Sequence, residues 1–339
     1  MHGLVLRSPN PRLIMTTLLG LVLAAACTET LDAGLIRSHG PLPVDERNPI
    51  VIVNDRALDN LQGEYAVLLA NGGGPKLAGI VVNADQTWPD IDDNLAGWSE
   101  LVAAARSSGL RDIPDPIRSP GAPLVRPDNG DIGATKANRS AGALFLIDAS
   151  KRLSLAYRPL VIVTGAPLTD VADAYLVDPT IVDRVYVVSS LGSVTSSGGS
   201  MGSPNGNLDP WADTIVARNF RYIQVSAFSD YDQLNDLPTA RLPDLPQNDF
   251  GNWIRAKQPG LYQWQPAADQ VAVAAVGIPS FVTTVEQVSP SGVIDGGATD
   301  VPDLIINPKA PGWFVTGIAG SAATNRLWDL LLDPKTFKP

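Results

Sequence analysis

Histidine is almost missing from this chain: there are two in 339 residues, His2 and His39. His2 lies in a leader-like N-terminus and His39 in a polar stretch ahead of the first strand-like run. The expected folded body therefore has no histidine for a Ser-His-Asp triad, a Cys-His pair or a histidine-ligated zinc site. Cysteine is scarcer still, because Cys27 stands alone, which excludes an intramolecular disulfide. Clusters of Lys and Arg are absent too. With a net charge of -10, the chain lacks the means to grip a phosphate backbone, which argues against nucleic acid as a partner. What remains for chemistry is oxygen: carboxylates, amides, hydroxyls and any hard cation they hold.

The N-terminus does not read as fold. Arg7 and Arg12 precede an apolar run, "LIMTTLLGLVLAAAC", that is too short to span a bilayer comfortably and ends in small residues before Cys27. This pattern resembles a bacterial lipoprotein signal, which implies lipidation of Cys27, export, and a membrane anchor at the cell envelope. Residues 1–27 are then the signal, the polar, proline-containing residues 28–48 a tether, and residues 49–339 the folded body.

From Pro49 onward, short Val/Ile-rich runs alternate with helical patterns. "IVIV" (50–53), "LAGIVVN" (77–83), "PLVIVTG" (159–165), "VDRVYVVSS" (182–190) and "FRYIQVS" (220–226) read as strands. "NLQGEYAVLLAN", "NLAGWSELVAAARSSG" and "TDVADAYLVDP" read as helices. Continuously apolar strands with intervening helices predict one large α/β domain, a mostly parallel central sheet flanked by helices. Residues 110–140, rich in Pro, Gly and Asp, predict a long surface excursion with some strand inside it.

In such a sheet, ligands gather beyond the carboxyl ends of the strands. The first strand ends in Asn54 and Asp55, with Asp59 and Asn60 close behind. Taken locally, these residues cap the following helix or hold a hard cation such as Ca²⁺, and both readings stand.

Other segments bear on that choice. "VIVTGAPLTDVADAYLVDPTIVDRVYVVSS", then "GSPNGNLDPWADTIVARN", then "PAADQVAVAAV" follow one another in an order and spacing that resemble the inosine-uridine-preferring nucleoside hydrolase family, over roughly residues 49–285. The Thr-Gly-x-Pro-Leu-Thr run and the later Asn-x-x-x-Asp-Pro spacing are the most specific parts. The resemblance implies Ca²⁺-dependent hydrolysis of an N-ribosyl or related glycosidic bond, with a metal-bound water attacking the anomeric carbon. It assigns Asp55 as catalytic base and calcium ligand, with Asn60, the backbone carbonyl of Thr164 and Asp269 as further ligands. Asp59, Asn83 and Asn205 would contact the sugar. A nucleoside or sugar would be the small-molecule partner, and self-association into a homo-oligomer is compatible with the same reading.

The chain departs from the family motif at four places: Val53 and Asn60 stand where it has Asp, Ser203 where it has Glu, and Ala268 where it often has His. Neutral Asn60 weakens a cation site, which keeps open a non-catalytic nucleoside- or sugar-binding lipoprotein on the same fold. Trp88, in "TWPDIDDNLAGW", is placed to stack on a base or sugar ring, although packing is the commoner fate of such a residue. The Asp run beside it reads as a solvated helix start, and residues 190–207 as a Gly/Ser-rich loop over the site.

Overall fold

The computed structural model describes residues 38–56, 61–119, 121–190, 194–195, 204–225, 237–257, 269–291 and 303–338. Among them, ten strands form one sheet. These are β1 (Ile50–Asn54), β2 (Leu77–Val82), β3 (Pro116–Arg118), β4 (Leu160–Thr164), β5 (Val185–Ser190), β6 (Val194–Thr195), β7 (Arg221–Val225), β8 (Val282–Pro290), β9 (Asp303–Ile306) and β10 (Gly312–Ile318). Their spatial order is β3-β2-β1-β4-β5-β7-β10-β8-β9-β6. β8 alone runs against the rest, antiparallel to both β10 and β9.

The helices are α1 (Gln62–Asn71), α2 (Ile91–Ser107), α3 (Ala141–Leu153), α4 (Thr169–Val177), α5 (Pro204–Leu208), α6 (Pro210–Asn219), α7 (Asp249–Lys257), α8 (Gln270–Gly277) and α9 (Gly320–Leu332). They cover both faces, which is why the inner strands carry no polar alternation. In β1, Ile50 and Ile52 pack into one core layer with α1, α2, α8 and α9. Val51 and Val53 point the other way, into a layer with α3, α4 and α6. The expected strands and helices all appear. The 110–140 excursion contains β3 and a short 3-10 turn at Ile132–Ala134. The β8–β10 arrangement has no counterpart in the sequence reading.

Residues 38–48, which the sequence assigns to a tether, lie in one compact unit with the residues that follow. Leu42 and Val44 are buried, and Asn48 donates to the Pro159 carbonyl at 2.8 Å, so the end of the expected tether contributes apolar surface and a hydrogen bond that hold it down. His39 is therefore part of the body. Its exposed ring pairs with Glu46 at 2.6 Å in the segment that leads into the start of β1.

The sheet order carries a functional consequence. The chain builds outward through β1, β2 and β3, then crosses back to lay β4 on the other side of β1. A crevice opens where strand order reverses in this way, outside the carboxyl ends of the two central strands. Here those ends are Asn54–Asp55 and Thr164–Gly165.

Candidate active site

Backbone bonds tie the strand ends together before any side chain is considered. Asn83 N–H donates to the Asn54 carbonyl at 3.0 Å, and Gly165 N–H to the Val53 carbonyl at 3.1 Å. Asp55 follows directly and is 2% exposed; its carboxylate accepts the N–H of Arg56.

Asn54, on the α1/α8 side of the sheet, donates its side-chain amide to Gln62 Oε1 in the first turn of α1. Gln62 Nε2 in turn donates to the backbone carbonyl of Asp269 at 3.2 Å, across 207 residues of sequence. The side chain of Asp269, also 2% exposed, packs on Gly165. A Cβ there would meet Asp269 Cβ and Cγ at 2.6 Å and Asn54 Nδ2 at 2.7 Å, distances that no Cβ tolerates. Glycine at 165 is thus what allows Asp269, Asn54 and the Thr164–Gly165 peptide to share one point. α1 itself is entered through Leu61, a buried residue held at φ 55°. For a non-glycine residue this left-handed geometry costs on the order of 1–2 kcal/mol, the kind of strain that collects at functional sites.

These donors suit a hard cation. The carboxylates of Asp55 and Asp269, the carbonyl oxygen of Asn54 and the strand-end peptide at Thr164 are all oxygen, which is what Ca²⁺ takes. Asn54 Oδ1 is buried and meets no hydrogen-bond donor among the described residues, leaving a lone pair that a cation would satisfy. Among the described residues, the one group of three His, Asp or Glu side chains within mutual ligating reach lies elsewhere: His39, Asp45 and Glu46. There Asp45 is already engaged by the Arg47 guanidinium, and the turn precedes β1, at the opposite end of that strand.

The other half of the crevice faces α3 and α4. Asn83, just past β2, is buried; its carbonyl accepts from Asn94 Nδ2 at 3.1 Å, and its side-chain Oδ1 has no hydrogen-bond partner among the described residues. Asp170, in the first turn of α4, is fully buried. Asp170 Oδ1 accepts the hydroxyls of Ser119 and Ser140, each at 2.7 Å. Burial pushes its pKa from the ordinary 3.8 up to about 6, against the hydrogen bonds of the two serines and with a further rise from Asp173. One turn along, Asp173 receives the backbone N–H groups of Asn138, Arg139 and Ser140 at 2.7–3.0 Å. Asp209 receives Leu124 N–H, Ala212 N–H and the Thr169 hydroxyl, and burial raises its pKa.

Trp88 is near the crevice, but one face of its ring is covered by the Arg56 guanidinium, 4.1 Å from the ring centroid. Such a cation–π contact contributes on the order of 0.5–1 kcal/mol at an exposed site. The pair lines a cavity of about 430 Å³ together with Asp93, Glu100 and Lys257, whose last two residues form an ion pair at 2.8 Å. The adjacent Asp run starts α2, where Asp90 caps the N–H groups of Asp92 and Asp93 at 3.0 and 3.2 Å. Asn205, buried in α5, donates to the Ser190 carbonyl at the end of β5, at 2.9 Å.

The fold thus brings Asp55, Asn83, Thr164 and Asp269 to one end of the sheet, with Asn205 at the end of β5. Cys27, Asp59, Asn60, Ser203 and Ala268 lie outside the described residues. Gln62, Gly165 and Asp170 escaped the sequence reading. The signal available for Asp170 was its place, with Asp173, on a short helix otherwise made of small and apolar residues: a charge there must be buried and therefore must have partners.

Comparison with known proteins agrees with the architecture. No protein-family model matches the chain, and no functionally curated protein matches it either. Solved structures do. An inosine-guanosine nucleoside hydrolase superposes with a TM-score of 0.59 at 17% identity, over 83% of this chain and 98% of that one. The inosine-uridine preferring nucleoside hydrolase of Bacillus anthracis gives 0.57 at 12% identity, over 84% and 99%. A purine-preferring ribonucleoside hydrolase from Gardnerella vaginalis gives 0.51 at 18%, over 84% and 99%. Sheet order, the helices on both faces and near-complete coverage of these neighbours together give this chain the nucleoside hydrolase-like α/β fold.

Proposed function

We propose that the protein hydrolyses the N-glycosidic bond of a nucleoside, or of a related ribosyl compound, in a Ca²⁺-dependent reaction at the carboxyl ends of β1 and β4. The observation that carries this reading is the meeting of Asn54, Gly165 and the Asp269 side chain at one point, next to buried Asp55. The structural neighbours, nucleoside hydrolases by name, support the reaction class.

Asp55, Asp269, the Thr164 carbonyl and Asn60 would hold the ion, which when bound supplies positive charge that polarises oxygen ligands. The chain's own groups do the rest. Asp55, shielded from solvent, takes the proton of the attacking water, a role matched by a carboxylate in a dry pocket. As the bond to the leaving base breaks, the sugar carbon gains oxocarbenium character, and the nearby carboxylates stabilise it. Asp59, Asn83 and Asn205 orient the sugar. The chain offers no histidine at this end of the sheet for protonating the base among the described residues, so the reaction favours bases that leave readily without such help.

The test is ribose release from a panel of nucleosides with Ca²⁺ present and after chelation, with Asp55→Asn expected to lower kcat by at least about a hundredfold. Turnover that ignores both chelation and the substitution would sink the proposal. A second reading, a sugar- or nucleoside-binding protein without turnover, draws on Val53: it is buried in the sheet and brings no carboxylate where the resembling motif has one. Ribose binding by calorimetry with no hydrolysis of any nucleoside would favour that reading. We also propose that the protein is exported and anchored to the bacterial cell envelope through a lipid on Cys27, on the strength of the N-terminal pattern.

A further inference from the structure

We infer that the end of the sheet at which the parallel strands begin is a membrane-facing surface: its exposed cations and the Leu155–Arg158 turn rest on an anionic phospholipid bilayer, and the crevice faces away into water. The inference rests on the lipid-anchor proposal, which supplies the bilayer, and is independent of the reaction.

Two elements measure how far this surface lies from the crevice. The chain enters β1 clamped between the strands on either side. Asn48 donates to the Pro159 carbonyl at 2.8 Å, Ile50 N–H donates to the Lys76 carbonyl at 2.9 Å, and Val161 N–H donates to the Pro49 carbonyl at 2.9 Å. Asp55 follows the other end of the same strand, about 16 Å away at roughly 3.3 Å per residue. Further upstream, Gly40 lies against Pro279, whose carbonyl oxygen a Cβ at position 40 would meet at 3.1 Å. Pro279 comes just after the end of α8, and Asp269 stands at the head of that helix, about 12 Å off at 1.5 Å per residue. The segment arriving from Cys27 thus joins the body at the end remote from the crevice.

Attachment there does not by itself orient the body. Residues 28–37, the part of the tether ahead of the compact unit, number ten and reach at most about 35 Å, enough for the body to roll over and present either end. Charge makes the choice. Lys76 precedes β2 and Arg158 precedes β4, the two neighbours of β1. Both are exposed, and neither side chain has an acidic partner among the described residues. Lys151 and Arg152, exposed at the end of α3, add two cations, paired with Asp178 at 2.8 Å and Asp148 at 2.7 Å. Asp112 and Asp183 are exposed at this end too, the former next to exposed Arg111. The turn after α3 is closed by Leu155 N–H to the Arg158 carbonyl at 3.1 Å and Arg158 N–H to the Leu155 carbonyl at 2.9 Å. It leaves Leu155 41% and Tyr157 53% exposed. A tyrosine beside cations suits a bilayer interface, where the ring sits among the headgroups and Lys or Arg meets lipid phosphate.

The crevice end carries the opposite charge. Asp90, Asp92 and Asp93 are exposed there, as are Asp128 and Asp131 in the excursion that joins the end of β3 to the start of α3, against exposed Lys136 and Arg139 and an Arg118 already paired with Asp92. A net charge of -10 keeps the unanchored chain off an anionic bilayer. An anchor overrides that repulsion, and within about 10 Å, the Debye length at moderate salt, local charge selects which end settles on the lipid.

To test this, the full chain is coupled through Cys27, its sole thiol, to a maleimide-headgroup lipid in phosphatidylcholine vesicles with or without phosphatidylglycerol, and hydrogen–deuterium exchange is followed by mass spectrometry. Chemical coupling makes attachment independent of acylation in a cell. With phosphatidylglycerol present, the peptide carrying Ala156 and Tyr157 should exchange about fivefold more slowly or better, the effect expected of one cation at an anionic surface, while residues 125–133 exchange alike on both vesicles. Lys76→Glu combined with Arg158→Glu should abolish the difference. Protection that falls on 125–133, or exchange of the turn that ignores phosphatidylglycerol or survives the charge reversal, overturns the inference. So does equal protection of the turn in concentrated protein without vesicles, which assigns the surface to a second copy of the chain. Failure of the anchor is read separately, as membrane association in a bacterial host that persists in Cys27→Ser, and leaves the vesicle result standing.

Discussion

Asp170 leaves a thermodynamic signature that is independent of function. Its pKa is 3.8 in an ordinary setting and about 6 in the fold, because burial penalises the charged form more than the two serines reward it. The folded state therefore binds more protons than the unfolded chain between these values. By linkage, stability falls as pH rises through that window and is level above it. At about 1.4 kcal/mol per pH unit, the cost of ionising Asp170 is roughly 3 kcal/mol. Asp170→Asn removes the titration while keeping size and shape. Unfolding by urea at a series of pH values should thus show the stability difference between variant and parent moving by roughly 3 kcal/mol in favour of the variant between about pH 4 and pH 7. Other acids titrate in both proteins and cancel in the difference, except for Asp173, whose charge acts on Asp170 directly. A difference that stays constant across this range refutes the reasoning, because it would mean that Asp170 titrates alike in the folded and unfolded chain.

Two further outcomes are expected. Gly165→Ala places a methyl group 2.6 Å from Asp269 Cγ and 2.7 Å from Asn54 Nδ2; it should cost about 1–3 kcal/mol by overpacking and abolish any stabilisation by Ca²⁺ in a thermal melt. A melt with an unchanged Ca²⁺ response would remove Asp269 from the cation site. Cys27→Ser should shift the protein from the membrane fraction to the soluble fraction of a bacterial host, and unaltered membrane association would end the lipid-anchor proposal.

Much of the architecture was legible in the residues. "IVIV", "LVIVT" and "VYVVSS" are apolar without alternation, which only a sheet covered on both faces requires, and the Asp90 cap at the head of α2 follows from residue type alone. The antiparallel β8 was not legible. "VTTVEQVSP" mixes polar and β-branched residues in a way that marks a half-exposed strand but not its direction. Nor was it legible that Arg56 lies on one face of Trp88, because a cation just past the end of the neighbouring strand has no signature in the sequence around the tryptophan.

The site divides along the same line. By itself the sequence determined the chemical inventory: oxygen donors in place of imidazole and thiolate, and an Asn-Asp pair closing a buried strand. Those facts are local, set by which residues follow one another. Tertiary structure alone decided that Gln62 reaches Asp269 across 207 positions, that Gly165 gives Asp269 room, and that Asp170 is buried against Ser119 and Ser140. The reason is physical. Strand order determines which ends become neighbours, and a charge acquires its pKa only from the groups that burial sets around it.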